Sequence, residues 1–437
     1  MLTRHRWTLG AVLAAAVAVL LAGCGGGTAS APTPAPGITD RTVTIVSHQP
    51  LRGTSHPGYD QIAPAAQAYF RWLNARGGIN GRTITLRYAD DRGTASGARS
   101  ALDGLLDSSG GAFAVFNGQG TTAHGAVVDQ LTEGGVPDLF VGSGCGCFNR
   151  PGALPYTFGW EPDDTAEAKI LARYVATRMP GLRVGVLYEN DDLGRSGLQA
   201  VRQFIPAARI VDTEDYAVTA PSINSQIAAL RAAGAQVVLS FGLPTFSATL
   251  ALVAHDLGWH PKLVVAGADP TTLLDLIEKQ SKGVAHPPGA ALLDGMITAS
   301  YLPSPDDAAN PWIALFRKIH DADPDLAGEP FDANVVYGMA AASTFAQALA
   351  AAGPEPTRAS LLAALTAAPL DPTGPGLTAL TYSATDHGGF RGLQIGTVQG
   401  GRLTLGGPVY STDAGTGPVR TVPAVHPVVP DGGIPGR

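Results

Sequence analysis

The sequence predicts an α/β protein built from two doubly wound parallel-sheet lobes. Strand-like and helix-like segments alternate from residue 43 to residue 141, and the same alternation starts afresh after Trp160 and runs to 266. The 437 residues are 45% apolar, enough for two or three cored domains. Strands separated by helices of this length read as βαβ units, whose crossovers return across one face and force parallel pairing. Fifty-five Gly and 34 Pro come without a Gly-X-Y period, which leaves a loop-rich globular protein rather than a collagenous one. The net charge of −7, with basic residues scattered singly, excludes the basic stripe that a phosphate backbone requires, so no nucleic-acid partner is expected.

Residues 1–23 read as an export signal. Arg4, His5 and Arg6 form a basic start, residues 7–22 are almost wholly apolar, and Leu21-Ala22-Gly23-Cys24 closes the segment. The run is short for a membrane span, which argues against an uncleaved N-terminal helix. Residues 24–37, rich in Gly, Pro, Thr and Ala, read as a flexible tether. Two further cysteines, Cys145 and Cys147, flank Gly146. In an exported chain thiols this close favour a disulfide, with free thiols or a metal site as the alternatives. No His or second Cys pair stands at zinc-finger spacing, so no metal is expected.

Segment 43–46 is β-rich. From 61 to 76, Ile62, Ala66, Tyr69, Phe70 and Leu73 recur at helical spacing, and Gly77-Gly78 ends the run. A strand at 83–88, a helix at 96–106, a strand at 113–116, a glycine loop at 117–120, a helix at 122–133 and a strand at 137–141 follow. After Trp160 come helix 164–178, strand 183–188, helix 195–204, strand 209–212, helix 222–233, strand 236–240, helix 245–257 and strand 262–266. A strand at 295–300, an amphipathic stretch at 311–320, helices at 332–352 and 357–367, and β-like segments at 377–382 and 391–398 complete the pattern. Six prolines after residue 407 make 407–437 read as an extended surface tail.

Gln49-Pro-Leu-Arg-Gly53, Ala68-Tyr-Phe-Arg-Trp-Leu-Asn-Ala-Arg-Gly-Gly-Ile-Asn-Gly-Arg82 and Tyr88-Ala-Asp-Asp91 resemble the opening of the Leu/Ile/Val-binding family of type I periplasmic solute-binding proteins. Val186-Leu-Tyr-Glu-Asn-Asp-Asp-Leu-Gly194 and Ala254-His-Asp-Leu-Gly-Trp259 are similar to that family's second-lobe motifs, and the resemblance covers roughly residues 38–400. It implies three hinge crossovers, near 160, 300 and 390. Lobe one is then 38–160 plus 300–390, and lobe two 161–299 plus 391–406. The small residues before Cys24 resemble the lipobox of bacterial lipoproteins, which implies acylation of Cys24 and anchoring to the outer face of the cytoplasmic membrane.

In open α/β sheets ligands sit outside the carboxyl ends of strands. Asn117-Gly-Gln-Gly-Thr-Thr122 leaves one such strand and enters a helix, where exposed amides and two hydroxyls suit a carboxylate, or simply cap the helix. The resemblance places the family's carboxylate-binding hydroxyl near Thr121, with Gly120 and Thr122 beside it. Gly142-Ser143-Gly144 follows the next strand, and its glycines permit close approach to the same end of a ligand, or make a plain tight turn. In the other lobe, Asp269 aligns with the acidic residue that pairs a ligand ammonium in amino-acid-binding relatives. Asp269-Pro270-Thr271 is equally a helix start with an N-cap and proline at N1. Where branched-chain-binding relatives carry aromatic residues, this chain has Leu193 and Leu243 or Pro244, while Asn190, Asp191 and Asp192 read as a solvated loop and cap.

Gly118 and Gly120 lack the third glycine of a dinucleotide fingerprint, so no cofactor is expected. No Gly-x-Ser-x-Gly elbow or His-Glu-x-x-His motif occurs, which argues against an α/β hydrolase-type enzyme. The expectation is a monomeric, extracytoplasmic solute-binding lipoprotein that is not an enzyme. It would clamp an amino acid, amide or carboxylate-like ligand and deliver it to an ABC transporter permease. A ligand-sensing lipoprotein coupled to a membrane signalling partner is the alternative.

Overall fold

A computed structural model describes residues 35–53, 57–108, 110–281 and 288–430. The export signal, Cys24 and most of the tether lie outside the described residues. Two sheets organise the rest. The first contains β1 (Thr42–Gln49), β2 (Thr83–Asp90), β3 (Ala114–Phe116), β4 (Asp138–Val141) and β5 (Thr157–Gly159), in the order β2-β1-β3-β4-β5 and parallel throughout. The second contains β6 (Val184–Glu189), β7 (Ile210–Tyr216), β8 (Val237–Phe241), β9 (Lys262–Val265), β10 (Ile297–Ser300), β11 (Leu393–Gln399), β12 (Arg402–Ser411) and β13 (Arg420–Val422). Its order is β13-β12-β11-β10-β9-β8-β6-β7. Strands β6 to β10 are parallel, and β11 to β13 extend the sheet antiparallel.

Crossover helices cover both sheets. In chain order they are α1 (Ile62–Asn74), α2 (Ala95–Leu106), α3 (Thr121–Gly125), α4 (Val128–Glu133), α5 (Asp164–Arg178), α6 (Asp192–Phe204), α7 (Asn224–Ala232), α8 (Pro244–Asp256), α9 (Pro270–Gln280), α10 (Gly289–Leu293), α11 (Pro311–Ala322), α12 (Ala333–Ala351) and α13 (Arg358–Ala367). Side chains of α1, α11, α12 and α13 share one buried cluster with β1, β3 and β4. At its centre the rings of Phe70, Phe116 and Phe345 meet edge to face with centroids 5.7–6.1 Å apart, the geometry aromatic quadrupoles favour. Two further clusters sandwich the second sheet, and Tyr301 packs against both the first cluster and one of these. Helix α12 approaches α1 closely at Gly338, where a Cβ would stand 2.2 Å from the Ile62 carbonyl oxygen.

Several sequence expectations need correcting. Segment 122–133 is two short helices, because the chain breaks at Ala126 and Val127; α3 is a single turn. Residues 35–37 of the expected tether pack instead, with Gly37 N–H donating to the Gly110 carbonyl and no room for a Cβ against Phe113. Segment 377–382 forms no strand and contributes one bridge, Leu370 to Leu380. The expected tail 407–437 is built into the sheet as far as Val422. The hairpin β11-β12 turns at Gly400-Gly401, both at positive φ (56° and 77°), the two-residue turn whose twist matches the flanking strands. Beyond β12, the fully buried Lys169 ammonium is held by the carbonyls of Asp413 and Gly415 and by Asp413 Oδ1, at 2.8–3.0 Å. That contact holds the Asp413 carboxyl below its ordinary pKa.

Replacing Gly338 by Ala should force α12 off α1 and destabilise the protein by about 1–3 kcal/mol, as overpacking does. Urea unfolding would measure it, and an unchanged midpoint would contradict the close approach.

Candidate functional site

Every ligand contact expected from the sequence lies in the chain that leaves the carboxyl end of a parallel strand. Gly120, Thr121 and Thr122 follow β3, Gly142 and Ser143 follow β4, Leu193 follows β6, Leu243 follows β8 and Asp269 follows β9. Two left-handed residues launch the loops of the first sheet. Asn117 (φ 51°) turns the chain after β3, a conformation asparagine tolerates. Phe140 (φ 63°) makes a bulge inside β4, a costly conformation for a bulky residue; its ring is fully buried between Phe116 and Trp160. The bulge turns Val141 and the residues after it toward the neighbouring loop.

There the two loops are tied together. Gly120 N–H donates to the Gly142 carbonyl at 3.0 Å, and Gly142 N–H to the Gly118 carbonyl at 2.9 Å. Thr121 Oγ1 and Ser143 Oγ share a hydrogen bond of 2.7 Å, and Ser143 Oγ also accepts from Cys145 N–H. One hydroxyl hydrogen lies between the two oxygens, which leaves the other free to donate to a bound acceptor. Thr121 is half-buried and Thr122 exposed. Because α3 is one turn long, these hydroxyls and amides, rather than a helix dipole, are what this pole offers. Cys145 and Cys147 are bridged by a disulfide and stiffen the chain just beyond Ser143.

The opposite pole is acidic. Asp269 caps α9, accepting from Thr272 N–H and Thr272 Oγ1, both at 2.8 Å, and also from the Ala333 amide at the start of α12. Asn334 Nδ2 donates to Thr272 Oγ1 at 3.1 Å, so the N-termini of α9 and α12 face each other. Asp332 caps α12, and burial together with the charge of Asp269 pushes its carboxyl up to about 7. Burial raises Asp269 as well, against the pull of its amide donors.

Residues the sequence reading missed gather around Glu161. Tyr337 Oη accepts from Asn117 Nδ2 at 3.0 Å and is hydrogen-bonded to Glu161, whose carboxyl burial pushes up to about 7. Glu167 accepts from Gly267 N–H at 2.9 Å, and Glu189 from Leu243 N–H at 3.3 Å; burial pushes both up to about 7. Burial raises the Tyr59 hydroxyl, with the charges of Glu161, Asp164, Glu189 and Glu167 adding to it. Leu193 and Leu243 are half-buried beside this wall, and Asp191 caps α6 through Gly194 N–H, as its loop position suggested. A cavity of about 180 Å3 opens beside Ser143 and Glu161, lined also by Asp163, His387, Arg391 and Asp413. Only Asp332 had a readable signal, an Asp directly before an Ala-rich helix. Glu161 and Glu167 become site residues only because the chain crosses from one sheet to the other there.

Two sheets with their loops on facing strand ends define the two-lobed class of periplasmic binding proteins. A family model described as periplasmic binding protein matches residues 42–402, and the chain belongs to that family. A Leu/Ile/Val-binding protein homolog of Brucella melitensis is 26% identical over 231 residues, 52% of this chain. The match spans 61% of that relative's length. Among solved structures, a fatty acid ABC transporter substrate-binding protein from Thermomonospora curvata superposes with a TM-score of 0.73 at 21% identity, covering 87% of this chain and 95% of that one. A branched chain amino acid ABC transporter protein from Thermus thermophilus with bound valine gives 0.70 at 17% identity, covering 86% and 98%.

The raised carboxyls set a pH dependence of known sign. A carboxyl whose folded pKa lies above its unfolded value stabilises the fold at low pH and loses that contribution as pH rises toward 7. Glu161→Gln keeps the neutral form at every pH. Its stability relative to wild type should therefore rise by about 2 kcal/mol between pH 5 and pH 8. Parallel urea titrations at the two pH values would show it, and a pH-independent difference would place an ionised Glu161 in the fold.

Proposed function

We propose that this chain is an extracytoplasmic solute-binding lipoprotein that clamps a small ligand between its lobes and delivers it to an ABC transporter permease. The observation that carries this reading is the pairing of two unlike poles on facing strand ends. The Thr121–Ser143 hydroxyl pair, with Gly120 and Gly142 beside it, offers donors to a carboxylate or amide oxygen. Asp269, supported by Asp332 and the wall of Glu161, Glu167 and Glu189, offers acceptors to an ammonium. A ligand with an acidic or amide end and an amine end, such as an amino acid, satisfies both. Leu193 and Leu243 would meet its side chain in place of the aromatic residues of branched-chain-binding relatives. Rotation about crossovers near 160, 300 and 390 would open and close the cleft.

The relatives' names favour an amino-acid-like solute, and the Thermomonospora protein's name a fatty acid. The acidic pole favours the amine-bearing class. Export and acylation at Cys24 rest on the lipobox resemblance, and no described helix is long and apolar enough to cross a membrane.

Once a thermal-shift screen over amino acids, amides and short carboxylates has found the ligand, calorimetric titration of Thr121→Ala and Asp269→Asn tests the poles. Each should lose about ten- to a hundred-fold in affinity, the equivalent of one charge-assisted hydrogen bond. Asn caps a helix as well as Asp does but cannot neutralise an ammonium. Native affinity in Asp269→Asn would remove the ammonium from the reading. Separately, Cys24→Ser should move the protein from the membrane fraction to the soluble one, and continued retention would refute anchoring by acylation.

A further inference from the structure

Beneath the hydroxyl pole lies a chain of four side chains, each fully excluded from solvent. His48 Nδ1 contacts Asp91 Oδ2 at 2.6 Å, His48 Nε2 contacts His124 Nδ1 at 3.0 Å, and His124 Nε2 contacts Asp138 Oδ2 at 2.9 Å. The two rings lie 18° from parallel with centroids 5.3 Å apart, and Phe148 closes the far face of His124 edge-on. The four residues come from four places: His48 from β1, Asp91 from the exit of β2, His124 from α3 and Asp138 from β4.

Three contacts between heteroatoms need three hydrogens. A carboxylate supplies none and a neutral imidazole supplies one, so two neutral rings between ionised carboxylates fill two contacts and leave the third as two facing lone pairs. A third hydrogen completes the chain, either making one ring an imidazolium or protonating an end carboxyl. The quartet then carries one net negative charge with every inter-residue contact bonded. Buried polar groups left half-bonded are costly, which favours the three-hydrogen state. Asp91, His124 and Asp138 are the titratable groups that act on His48, and burial holds its imidazole below the ordinary value.

The binding loop is moulded onto this chain. Gly118 sits against the imidazole–imidazole bond, where a Cβ would stand 2.6 Å from His48 Nε2 and 2.7 Å from His124 Nδ1. Gln119 N–H donates to the His48 carbonyl and His124 N–H to the Gly120 carbonyl, so the backbones of both histidines hold the loop as well. We propose that Asp91, His48, His124 and Asp138 form a three-hydrogen brace whose histidines are positioning residues for the loop 117–121. The brace fixes Gly120 and Thr121 where a ligand's acidic end would meet them. This assignment rests on the reading of that loop as a ligand contact, but its test needs no ligand.

In the ligand-free protein, proton spectra with nitrogen-labelled histidine should show three downfield, slowly exchanging resonances. Each should couple to a ring nitrogen of His48 or His124 or lie at an end carboxyl. Two or fewer would overturn the brace. Amide exchange then reads the positioning. Asp138→Asn can donate to or accept from His124 Nε2, and should keep the Gln119, Gly120 and His124 amides within about threefold of wild type. Asp138→Leu, of the same branched shape and heavy-atom count but larger and unable to bond, should speed their exchange tenfold or more while amides of β6 and β8 stay unchanged. Wild-type protection in the Leu variant, or loss of protection in the Asn variant equal to that in Leu, would refute it. Should the Leu variant fail to fold, the resonance count and the Asn variant decide. A brace that passes with ligand contact at Thr121 refuted would be a loop support alone, so the two failures are separable.

Discussion

Parallel pairing is the constraint from which the rest of this molecule follows. A parallel strand cannot return by a tight turn, so the chain leaves each parallel strand by a longer connection, which in most cases recrosses a face of the same sheet through a helix and after β5 and β10 passes to the other half of the molecule. Every loop that leaves a strand therefore emerges on the same edge, and two sheets give two such edges. Loops that share an edge can be tied to one another, as Gly120 and Gly142 are, without any strand giving up its ladder. The edge also concentrates polar backbone and carboxylates that the apolar clusters behind it could not accept.

This is why so much of the architecture was legible in the sequence. Helical spacing of Ile62, Ala66, Tyr69, Phe70 and Leu73 located α1, and Asp269-Pro270 marked the start of α9, because both signals are local. The break between α3 and α4 had a weak local signal that the sequence reading passed over, Gly125 followed by the β-branched pair Val127-Val128; the His124 side chain, just before the break, is drawn into the buried quartet. The antiparallel edge β12-β13 was masked by prolines and glycines that read as a tail, although Gly400-Gly401 between two β-like runs was a hairpin signal. Of the site, the loops were readable from strand ends. Asp332 was readable only as a helix cap and Tyr337 only as part of an apolar helix, while Glu161 joins the group through the crossing of the chain between sheets.

The two poles differ in how they are held. Thr121 and Ser143 sit on short turns braced by backbone bonds and the nearby disulfide, a stiff arrangement with few ways to move. The acidic pole is held by helix caps whose donors also satisfy the carboxylates without a ligand, Thr272 at Asp269 and the backbone amides of Asn334 and Val335 at Asp332. A ligand amine there must replace or supplement existing hydrogen bonds, whereas the hydroxyl pair has a hydrogen to spare.

The lysine buried in α5 gives the end of the chain a role that its composition hides. Lys169 reaches its oxygen partners because residues 413–415 fold back over the helix, so the last strands work as a clasp in which one buried ammonium adds to the strand pairing of β12 and β13. A chain shortened before Asp413 would leave that charge stranded in the interior, while an addition after residue 430 would leave the clasp untouched. For anyone building a sensor or a tethered receptor from this scaffold, the terminus is a fastening to be kept, and the place to attach cargo lies beyond it.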